Sequence, residues 1–299
     1  MILTVTYNPA VDQTMQFDEP MRPNDVMRAT GNRFDAGGTG INVSQDLRAL
    51  GIGTAATGLI GGFSGTFIDE RLADDGVPRD FVEVDAPTRV NTTVHAAGEE
   101  YKFNQSGPQV DPGVVDRVIE RIEAHDPDRV LVGGSLPPGL DATAVDRIAD
   151  GDWPVGVDVP VLQDLTGSYE LCKPNRTELA AATGRDVSTL EGAVAAAREV
   201  REQGYDRVIA SLDDEGAILA TGDGVWLADA LDVEAVDTVG AGDALLSGIL
   251  ASMDRGEDDP TALATGVAVA SRVVQQVGTS TPDLDGIPPE RDLVSVRKL

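Results

Sequence analysis

Short apolar runs with strand character alternate with helical patterns along most of the 299-residue chain. The strand-like runs are 2–6, 54–61, 129–135, 155–160 and 207–213. The helical patterns are 40–51, 111–124, 141–150, 188–203 and 242–254. This alternation predicts an α/β fold, in which a mostly parallel sheet is covered by helices on both faces. Ligands of such sheets bind beyond the carboxyl ends of the strands, so we expect the functional site there.

Two stretches interrupt this alternation, residues 14–35 and 80–104, which contain alternating, part-polar strands with no helix between them. They predict a small antiparallel sheet inserted into a single domain of residues 1–299. A lid over an active site is the expected use, because a closed lid excludes water from the reaction. An edge extension of the main sheet is the alternative. The segment after Gly278 is loop-like in composition.

The chain is strongly acidic, with 51 Asp and Glu against 23 Lys and Arg and a formal net charge of −28. Its hydrophobic content of 41% is that of a folded protein rather than a disordered one. The acidic residues are scattered and do not form one tail, which favours a surface adapted to concentrated salt over a docking site for a basic partner. Nucleic acid is not expected as a partner, because binding it requires a basic face.

The sequence contains one cysteine, Cys172, which therefore has no partner for an internal disulfide and fits a reducing compartment. We find no N-terminal targeting segment and no apolar run near the ~20 residues that a membrane span requires. These features predict a cytoplasmic protein that does not associate with membranes.

The segment VDTVGAGDA, residues 236–244, sets two glycines directly before a carboxylate at the start of a helical pattern. A glycine-rich turn that opens a helix leaves N–H groups unpaired at the positive end of the helix dipole, where they bind anions such as phosphate. Asp243 would repel a phosphate unless it takes a proton from a hydroxyl that attacks the phosphorus. The segment therefore predicts phosphoryl transfer to an alcohol, and a plain loop-to-helix turn is the alternative.

Other phosphate motifs are absent from the sequence: it has no G-x-x-x-x-G-K-[ST], and its G-x-G segments lack the third glycine of the dinucleotide fingerprint. Six motifs, the last of them within the segment just described, occur in order: TYNPAVDQT (6–14), FDAGGTGINVS (34–44), TRVNTT (88–93), GSLPPG (134–139), CKPNRTEL (172–179) and VGAGDA (239–244). Together they resemble the motifs of the ribokinase-like (PfkB) sugar kinases, in particular the phosphofructokinase and tagatose-phosphate kinase branch. The resemblance implies a ribokinase-like three-layer α/β/α sandwich with a small β lid.

The resemblance also implies roles on the nucleotide side. Asp243 would be the general base, and the amides of Gly240, Ala241 and Gly242 would form an anion hole. ATP and Mg²⁺ are the expected cofactors, and a monovalent cation such as K⁺ is a further candidate. The residues matched to the nucleotide and its metal are Lys173, Asn175, Ser211, Gly240 and Gly242 for the nucleotide, and Asn175 with Glu178 for Mg²⁺. Asn175 is also expected to be a helix N-cap.

On the sugar side the resemblance assigns seven residues: Asp12, Gly37, Gly38, Asn42, Arg89, Asn104 and Arg28. Asp12 would hold two sugar hydroxyls, and the two glycines would let the backbone approach the sugar. Arg89 would grip a phosphate that the sugar already carries, a role suited to a bidentate guanidinium. A cross-strand ion pair is the alternative for Arg89. The sequence departs from the branch at Thr39, where many members have lysine, and at Asp213, where glycine is usual.

The resemblance therefore implies an ATP-dependent kinase of a fructose phosphate, with fructose 1-phosphate favoured and a homodimer formed through the lid. Fructose 6-phosphate, tagatose 6-phosphate and an unphosphorylated sugar or sugar acid are the alternative substrates. A non-catalytic sugar-binding regulator is the alternative of another class. Asp243 beside an intact GAG turn argues against the regulator, because a pure binder needs no base there.

The acidic surface predicts that salt stabilises the protein. Screening lengths fall from ~30 Å at 0.01 M salt to ~3 Å at 1 M, so salt removes most of the repulsion among scattered carboxylates. We expect the melting midpoint and the activity to rise together between about 0.05 M and about 2 M potassium chloride. Thermal melts in the two buffers test this, and an equal or lower midpoint in high salt would point to a basic partner instead.

Overall fold

The computed structural model describes residues 1–276, 282–284 and 287–299, which form two β-sheets with helices around them. The strands are β1 (Ile2–Thr6), β2 (Ala10–Phe17), β3 (Gly31–Gly37), β4 (Thr54–Ile60), β5 (Val82–Glu83), β6 (Arg89–Ala96), β7 (Glu99–Phe103), β8 (Arg129–Gly133), β9 (Val155–Asp158), β10 (Tyr169–Cys172), β11 (Tyr205–Ser211), β12 (Ala217–Thr221), β13 (Gly224–Ala228) and β14 (Val296–Lys298). The α-helices are α1 (Thr39–Ala49), α2 (Gly62–Asp74), α3 (Val114–His125), α4 (Ala142–Ala149), α5 (Arg176–Thr183), α6 (Leu190–Glu202), α7 (Ala241–Asp254), α8 (Asp259–Val273) and α9 (Ile287–Arg291).

The large sheet has the strand order β14-β13-β12-β11-β10-β9-β8-β1-β4-β5. In this sheet the following strands run parallel to one another: β5, β4, β1, β8, β9, β10 and β11. The strands β12, β13 and β14 add an antiparallel edge beside β11. All five residues of β1 are buried, as expected for a strand covered on both faces. The prediction of a mostly parallel sheet is confirmed. The chain extends the sheet in opposite directions on the two sides of β1, and such a switch point opens a crevice for ligands.

Helices cover both faces of the large sheet. One apolar cluster joins the sheet to α3, α4, α5 and α6, with Val118, Ile148 and Val200 at its centre. A second cluster on the opposite face includes Leu47 of α1 and Leu246 of α7, together with residues of α8 and α9. The three-layer α/β/α architecture is thus confirmed. Within the described ranges, none of the helices has the length and apolar character needed to cross a bilayer.

The small sheet has the order β3-β2-β6-β7 and packs on α2, where Val11 and Ala36 of the sheet join Ile68 of the helix in one apolar cluster. Strand β2 is antiparallel to β3 but parallel to β6, so the sheet is mixed rather than antiparallel throughout. It is a sheet of its own, and an edge extension is therefore ruled out for β2, β3, β6 and β7.

Two sequence predictions about local structure are wrong. The stretch 80–104 does not all join the small sheet: β5 pairs with β4 at the edge of the large sheet, because Val82 is buried in the same apolar cluster as Leu59 of β4. The segment after Gly278 contains α9 and β14, and β14 pairs with β13 and places the Lys298 ammonium 5.2 Å from the centre of the Trp226 ring. Of the predicted loop, residues 279–281 and 285–286 lie outside the described residues.

Candidate active site

The glycine turn lies directly at the start of α7, where the sequence predicts a loop-to-helix turn. Gly240 is the N-cap of α7 and has φ 82°, in the left-handed region that glycine adopts without strain. The amide of Ala241 donates to the Thr238 carbonyl at 3.3 Å, so it is not the free anion-hole donor that the resemblance implies. The amides of Gly242 and Asp243 follow in the first turn, where a helix offers no acceptors of its own. The turn therefore presents N–H groups to an anion.

Asp243 lies at this turn and is held from the opposite helix, since Asn42 Nδ2 of α1 donates to Asp243 Oδ2 at 2.7 Å. Burial, with a smaller contribution from the carboxylate of Asp158, raises the pKa of Asp243 to about 7, against the lowering effects of Asn42 and Lys173. A carboxyl with a pKa near neutrality is well matched to take a proton from a substrate hydroxyl. The structure thus brings Asn42 and Asp243 together, although they are far apart in sequence.

A buried lysine stands beside the same turn. Lys173 follows β10, is 7% exposed, and its Nζ lies 3.1 Å from Oδ2 of Asp158 at the end of β9. Burial lowers the pKa of Lys173, but the carboxylates of Asp158 and Asp243 outweigh this effect and raise it overall, so the ammonium stays charged. A Cβ placed on Gly242 would lie 3.1 Å from this ammonium, and the missing side chain therefore lets the charge approach the turn.

Asp158 was not predicted as a site residue. It directly follows an apolar strand-like run and ends a parallel strand at the carboxyl edge of the sheet. That position is the signal that could have found it, because such edges carry the ligand sites of α/β proteins.

The Asn175 and Glu178 pair forms a capping box at the start of α5. Asn175 Oδ1 accepts from the Glu178 amide, and Glu178 Oε2 accepts from the Asn175 amide, each at 2.9 Å. The predicted N-cap is confirmed. Burial raises the pKa of the Glu178 carboxyl. Among the described residues no three His, Cys, Asp or Glu side chains cluster as metal ligands.

A cavity of about 800 Å³ opens beside the glycine turn. Ser211, Ala241 and Gly242 line one part of it, and apolar side chains that include Leu245 and Val267 line another. Ser211 also forms a β-bridge with Asn175, which brings the two predicted nucleotide residues together. A cavity with apolar walls next to an anion-binding turn has the size and chemistry for a purine nucleotide.

The acidic run 213–215 borders this cavity. Asp213 has φ 56°, a left-handed conformation that explains why glycine suits the position. Its side chain is 82% exposed and lies 4.0 Å from Arg176 Nε, while Glu215 accepts from Arg176 Nη2 at 2.8 Å. The Arg176 guanidinium thus offsets part of the negative charge at the cavity mouth.

On the sugar side, Asp12 of β2 faces Gly37 of β3. A Cβ on Gly37 would lie 1.9 Å from Asp12 Oδ2, so only glycine leaves room for this carboxylate. Asn91 Nδ2 of β6 donates to Asp12 Oδ1 at 3.0 Å. Burial raises the pKa of Asp12, while the Asn91 hydrogen bond and Arg89 lower it. Gly38, with φ 123°, comes next and is the N-cap of α1. The chain segment packed against Asp12 therefore leads directly into the helix that carries Asn42.

Arg89 is anchored by main-chain oxygens. Its Nη1 donates to the Gln105 carbonyl at 3.1 Å and its Nη2 to the Asn8 carbonyl at 2.9 Å. Its Nε is buried without a hydrogen-bond partner, and no carboxylate of the described residues forms a salt bridge with it. The alternative of a cross-strand ion pair is therefore wrong. Burial lowers the pKa of Arg89 and the nearby Asp12 carboxylate raises it, while the described hydrogen bonds of the guanidinium go to neutral main-chain oxygens.

The remaining two predicted sugar residues stand apart. Arg28, in the loop between β2 and β3, and Asn104, after β7, are both exposed, and neither has a described contact with the other site residues. Instead the structure adds Asn8 and Ser135, which sequence analysis missed: Asn8 Nδ2 lies 3.2 Å from Ser135 Oγ, and Asn8 Oδ1 is buried without a partner. Asn8 lies in the motif TYNPAVDQT and Ser135 in GSLPPG, so their positions within these motifs could have marked them as site residues.

The chain is similar to known proteins in both sequence and fold. Residues 5–285 match the pfkB family carbohydrate kinase pattern. The chain is 52% identical to the 1-phosphofructokinase of Haloferax volcanii over 96% of this chain and 95% of that protein. It is 32% identical to the D-tagatose-1-phosphate kinase of Klebsiella oxytoca over 93% of this chain and 94% of that protein. Phosphofructokinase-2 from Escherichia coli, solved in complex with potassium, superposes with a TM-score of 0.90 at 26% identity, covering 98% of each chain.

The raised pKa of Asp243 predicts opposite effects of Asp243→Asn on activity and stability. The carboxyl binds its proton more tightly in the folded state than in the unfolded chain, so its ionisation costs folding free energy, fully so above about pH 7. The variant should lose transfer by at least about 100-fold. It should also melt above the wild type at about pH 8, with a gap that closes towards about pH 4. A melting midpoint below that of the wild type at pH 8 would contradict the buried-charge account.

Proposed function

Because the chain belongs to the pfkB family of carbohydrate kinases, we propose that it transfers the γ-phosphate of ATP to the C6 hydroxyl of fructose 1-phosphate, giving fructose 1,6-bisphosphate. The observation that carries the choice of a phosphosugar is Arg89, a partly buried guanidinium with no carboxylate salt bridge among the described residues. A cation of this kind is costly to bury unless an anion completes the site. The 1-phosphofructokinase of Haloferax volcanii, at 52% identity, supports the same substrate.

In the proposed reaction the sugar lies between the two sheets with its hydroxyl at Asp243. Asp243 takes the hydroxyl proton as the oxygen forms a bond to the γ-phosphorus, and the bond from that phosphorus to the bridging oxygen breaks with its electrons leaving on ADP. The amides of Gly242 and Asp243 and the Lys173 ammonium offset the negative charge that gathers on the transferred group. Asn42 Oδ1, buried without a partner, is placed to accept a hydrogen bond from a second sugar hydroxyl.

For the metal we propose that Glu178, with Asn175 beside it, holds a hydrated Mg²⁺. When bound, Mg²⁺ neutralises phosphate charge on the nucleotide. The capping box leaves Glu178 Oε1 without a described hydrogen bond, so this oxygen is the one for the ion's water shell. The proposal of a monovalent cation such as K⁺ rests on the potassium complex of Escherichia coli phosphofructokinase-2.

We further propose a cytoplasmic, salt-adapted enzyme that forms a homodimer through the small sheet. Large apolar side chains are exposed on this sheet and on its connecting loop, among them Phe103 at 57%, Phe34 at 44% and Val26 at 81%. Exposed apolar side chains that cluster on one element are typical of an interface. In this dimer, the small sheet of each subunit would form the interface and would also cover the active site of the same subunit.

The substrate proposal is tested by removing the Arg89 charge. Arg89→Ala should raise the KM for fructose 1-phosphate at least about tenfold, because a charge-assisted hydrogen bond contributes about 1.5–3 kcal/mol. The KM for free fructose should change far less, because free fructose has no phosphate for the guanidinium. Steady-state kinetics on a panel of sugars and sugar phosphates measure both effects.

A matched control is Arg79→Ala, which also removes a partly exposed arginine, but one that Asp69 already neutralises at 2.9 Å. This control should leave both KM values within about twofold. If the wild type prefers free fructose or a sugar acid to every phosphosugar, the fructose 1-phosphate assignment is wrong, although the kinase assignment stands.

The dimer is tested by placing a charge on the exposed face of the small sheet. Phe103→Glu should convert a dimer into a monomer in sedimentation velocity, because an unpaired carboxylate in an apolar interface is costly to desolvate. Leu293→Glu changes a side chain of similar character, 72% exposed but outside the small sheet, and should leave the dimer intact. A monomeric wild type would refute the proposed dimer.

A further inference from the structure

Helices α1 and α7 meet through two polar contacts that are spaced alike on both helices. Asn42 of α1 contacts Asp243 of α7, as described above. Four residues further along each helix, the Ser247 hydroxyl donates to Asp46 Oδ2 at 3.1 Å. Residues four apart lie on one face of a helix, so the two contacts form consecutive rungs between the same two faces.

The second rung is buried within an apolar contact. Asp46 is 6% exposed and Ser247 is fully buried, and the helices carry Leu47 and Leu246 in the same apolar cluster. A carboxylate in such surroundings costs folding free energy unless it is hydrogen-bonded. None of the sugar, nucleotide or metal roles assigned above involves Asp46 or Ser247, so the binding site itself does not account for this cost.

The rung leads to the backbone of the catalytic base. Ser247 Oγ lies 2.7 Å from the main-chain oxygen of Asp243, as well as 3.1 Å from Asp46. Asp46 is thereby linked through one hydroxyl to the helical turn that carries both the base and the anion-binding amides. The single hydroxyl proton is shared between these two acceptors, so Ser247 ties the Asp46 carboxylate and the Asp243 carbonyl to one point between the helices.

We propose that Asp46 and Ser247 are positioning residues for the transfer step: they lock the first turn of α7 against α1, so that Asp243 stays on Asn42 and the turn's amides stay aimed at the transferred phosphate. They touch neither substrate directly in this assignment. The inference rests on the proposed function only in requiring a sugar that the kinase phosphorylates.

If Asp46 positions the base, its charge should also affect the pKa of Asp243, which an effect on packing alone would not do. The charged groups that face Asp243 are Asp158 from the end of β9, Lys173 after β10 and Asp46 from α1, and among these Asp46 raises the pKa of Asp243. Asp46→Asn therefore removes a negative charge that opposes ionisation of the base. The acid limb of the rate profile, which follows that ionisation, should move to lower pH.

The test compares Asp46→Asn, Ser247→Ala and the double variant with the wild type, each assayed on the best sugar of the panel. We expect kcat to fall about 10- to 100-fold in each single variant, because small displacements of reacting groups are costly. The KM for the sugar and for ATP should stay within about threefold of the wild type, and the double variant should be no slower than the slower single variant.

The matched control is Ser252→Ala on the same helix. Ser252 is also fully buried, but its hydroxyl donates to Glu257, away from Asp243. It should lose thermal stability without a comparable loss of kcat. Ser247→Cys keeps the packing volume with a weaker donor, so it tests the role even if Ser247→Ala folds poorly, and it should also lose kcat.

Three results would overturn the inference. One is an unchanged kcat in the folded variants, and another is an equal loss of kcat in Ser252→Ala at an equal loss of melting midpoint. The third is a double variant whose loss of kcat equals the product of the two single losses, together with a pH–rate profile of Asp46→Asn whose acid limb stays at the wild-type pH. A wild type that phosphorylates no sugar of the panel would instead refute the proposed function, and this inference with it.

Discussion

The site depends on keeping an ionisable carboxylate next to the glycine turn at the start of α7. Asp243 is withdrawn from water beside a second carboxylate, Asp158, and both effects raise its pKa to about 7. The Asn42 amide and the Lys173 ammonium hold it in place against this repulsion. Because these groups come from α1, α7 and the ends of β9 and β10, the chemistry requires the large sheet and its two helices to be assembled first.

The parts of the fold that periodicity predicts are those whose burial is uniform. Strand β1 and the run 54–61 are buried on both faces, so neither contains a charged residue or alternates between apolar and charged positions. Helix α2 was missed because it opens with glycines and has only a weak apolar stripe, and α8 because Asp258 and Pro260 at its start resemble a loop, although Asp258 caps it. For β5, alternation predicted the wrong sheet, since tertiary burial decides where a two-residue strand pairs.

The candidate site shows a similar division. Two of the predicted motif residues, Asn42 and Asp243, are in direct contact, and Gly37 leaves room for the Asp12 carboxylate. Asp158 and Asn8 were missed because their importance depends on which strand ends lie side by side, and the sequence does not state strand order. Arg28 and Asn104 were predicted as sugar ligands but are exposed and apart from the other site residues. The sequence does not predict the path of the loops that carry them, so it could not show that their side chains lie elsewhere.

The two outermost strands of the large sheet are its shortest elements, β5 with two residues and β14 with three. An open sheet edge exposes unpaired backbone groups that another chain can extend into a continuous intermolecular sheet. Concentrated salt screens the repulsion that would otherwise keep such acidic chains apart. Short edge strands offer few unpaired backbone groups, and β14 also carries Arg297 and Lys298. They therefore limit edge-to-edge aggregation in concentrated salt, where charge repulsion between chains is screened.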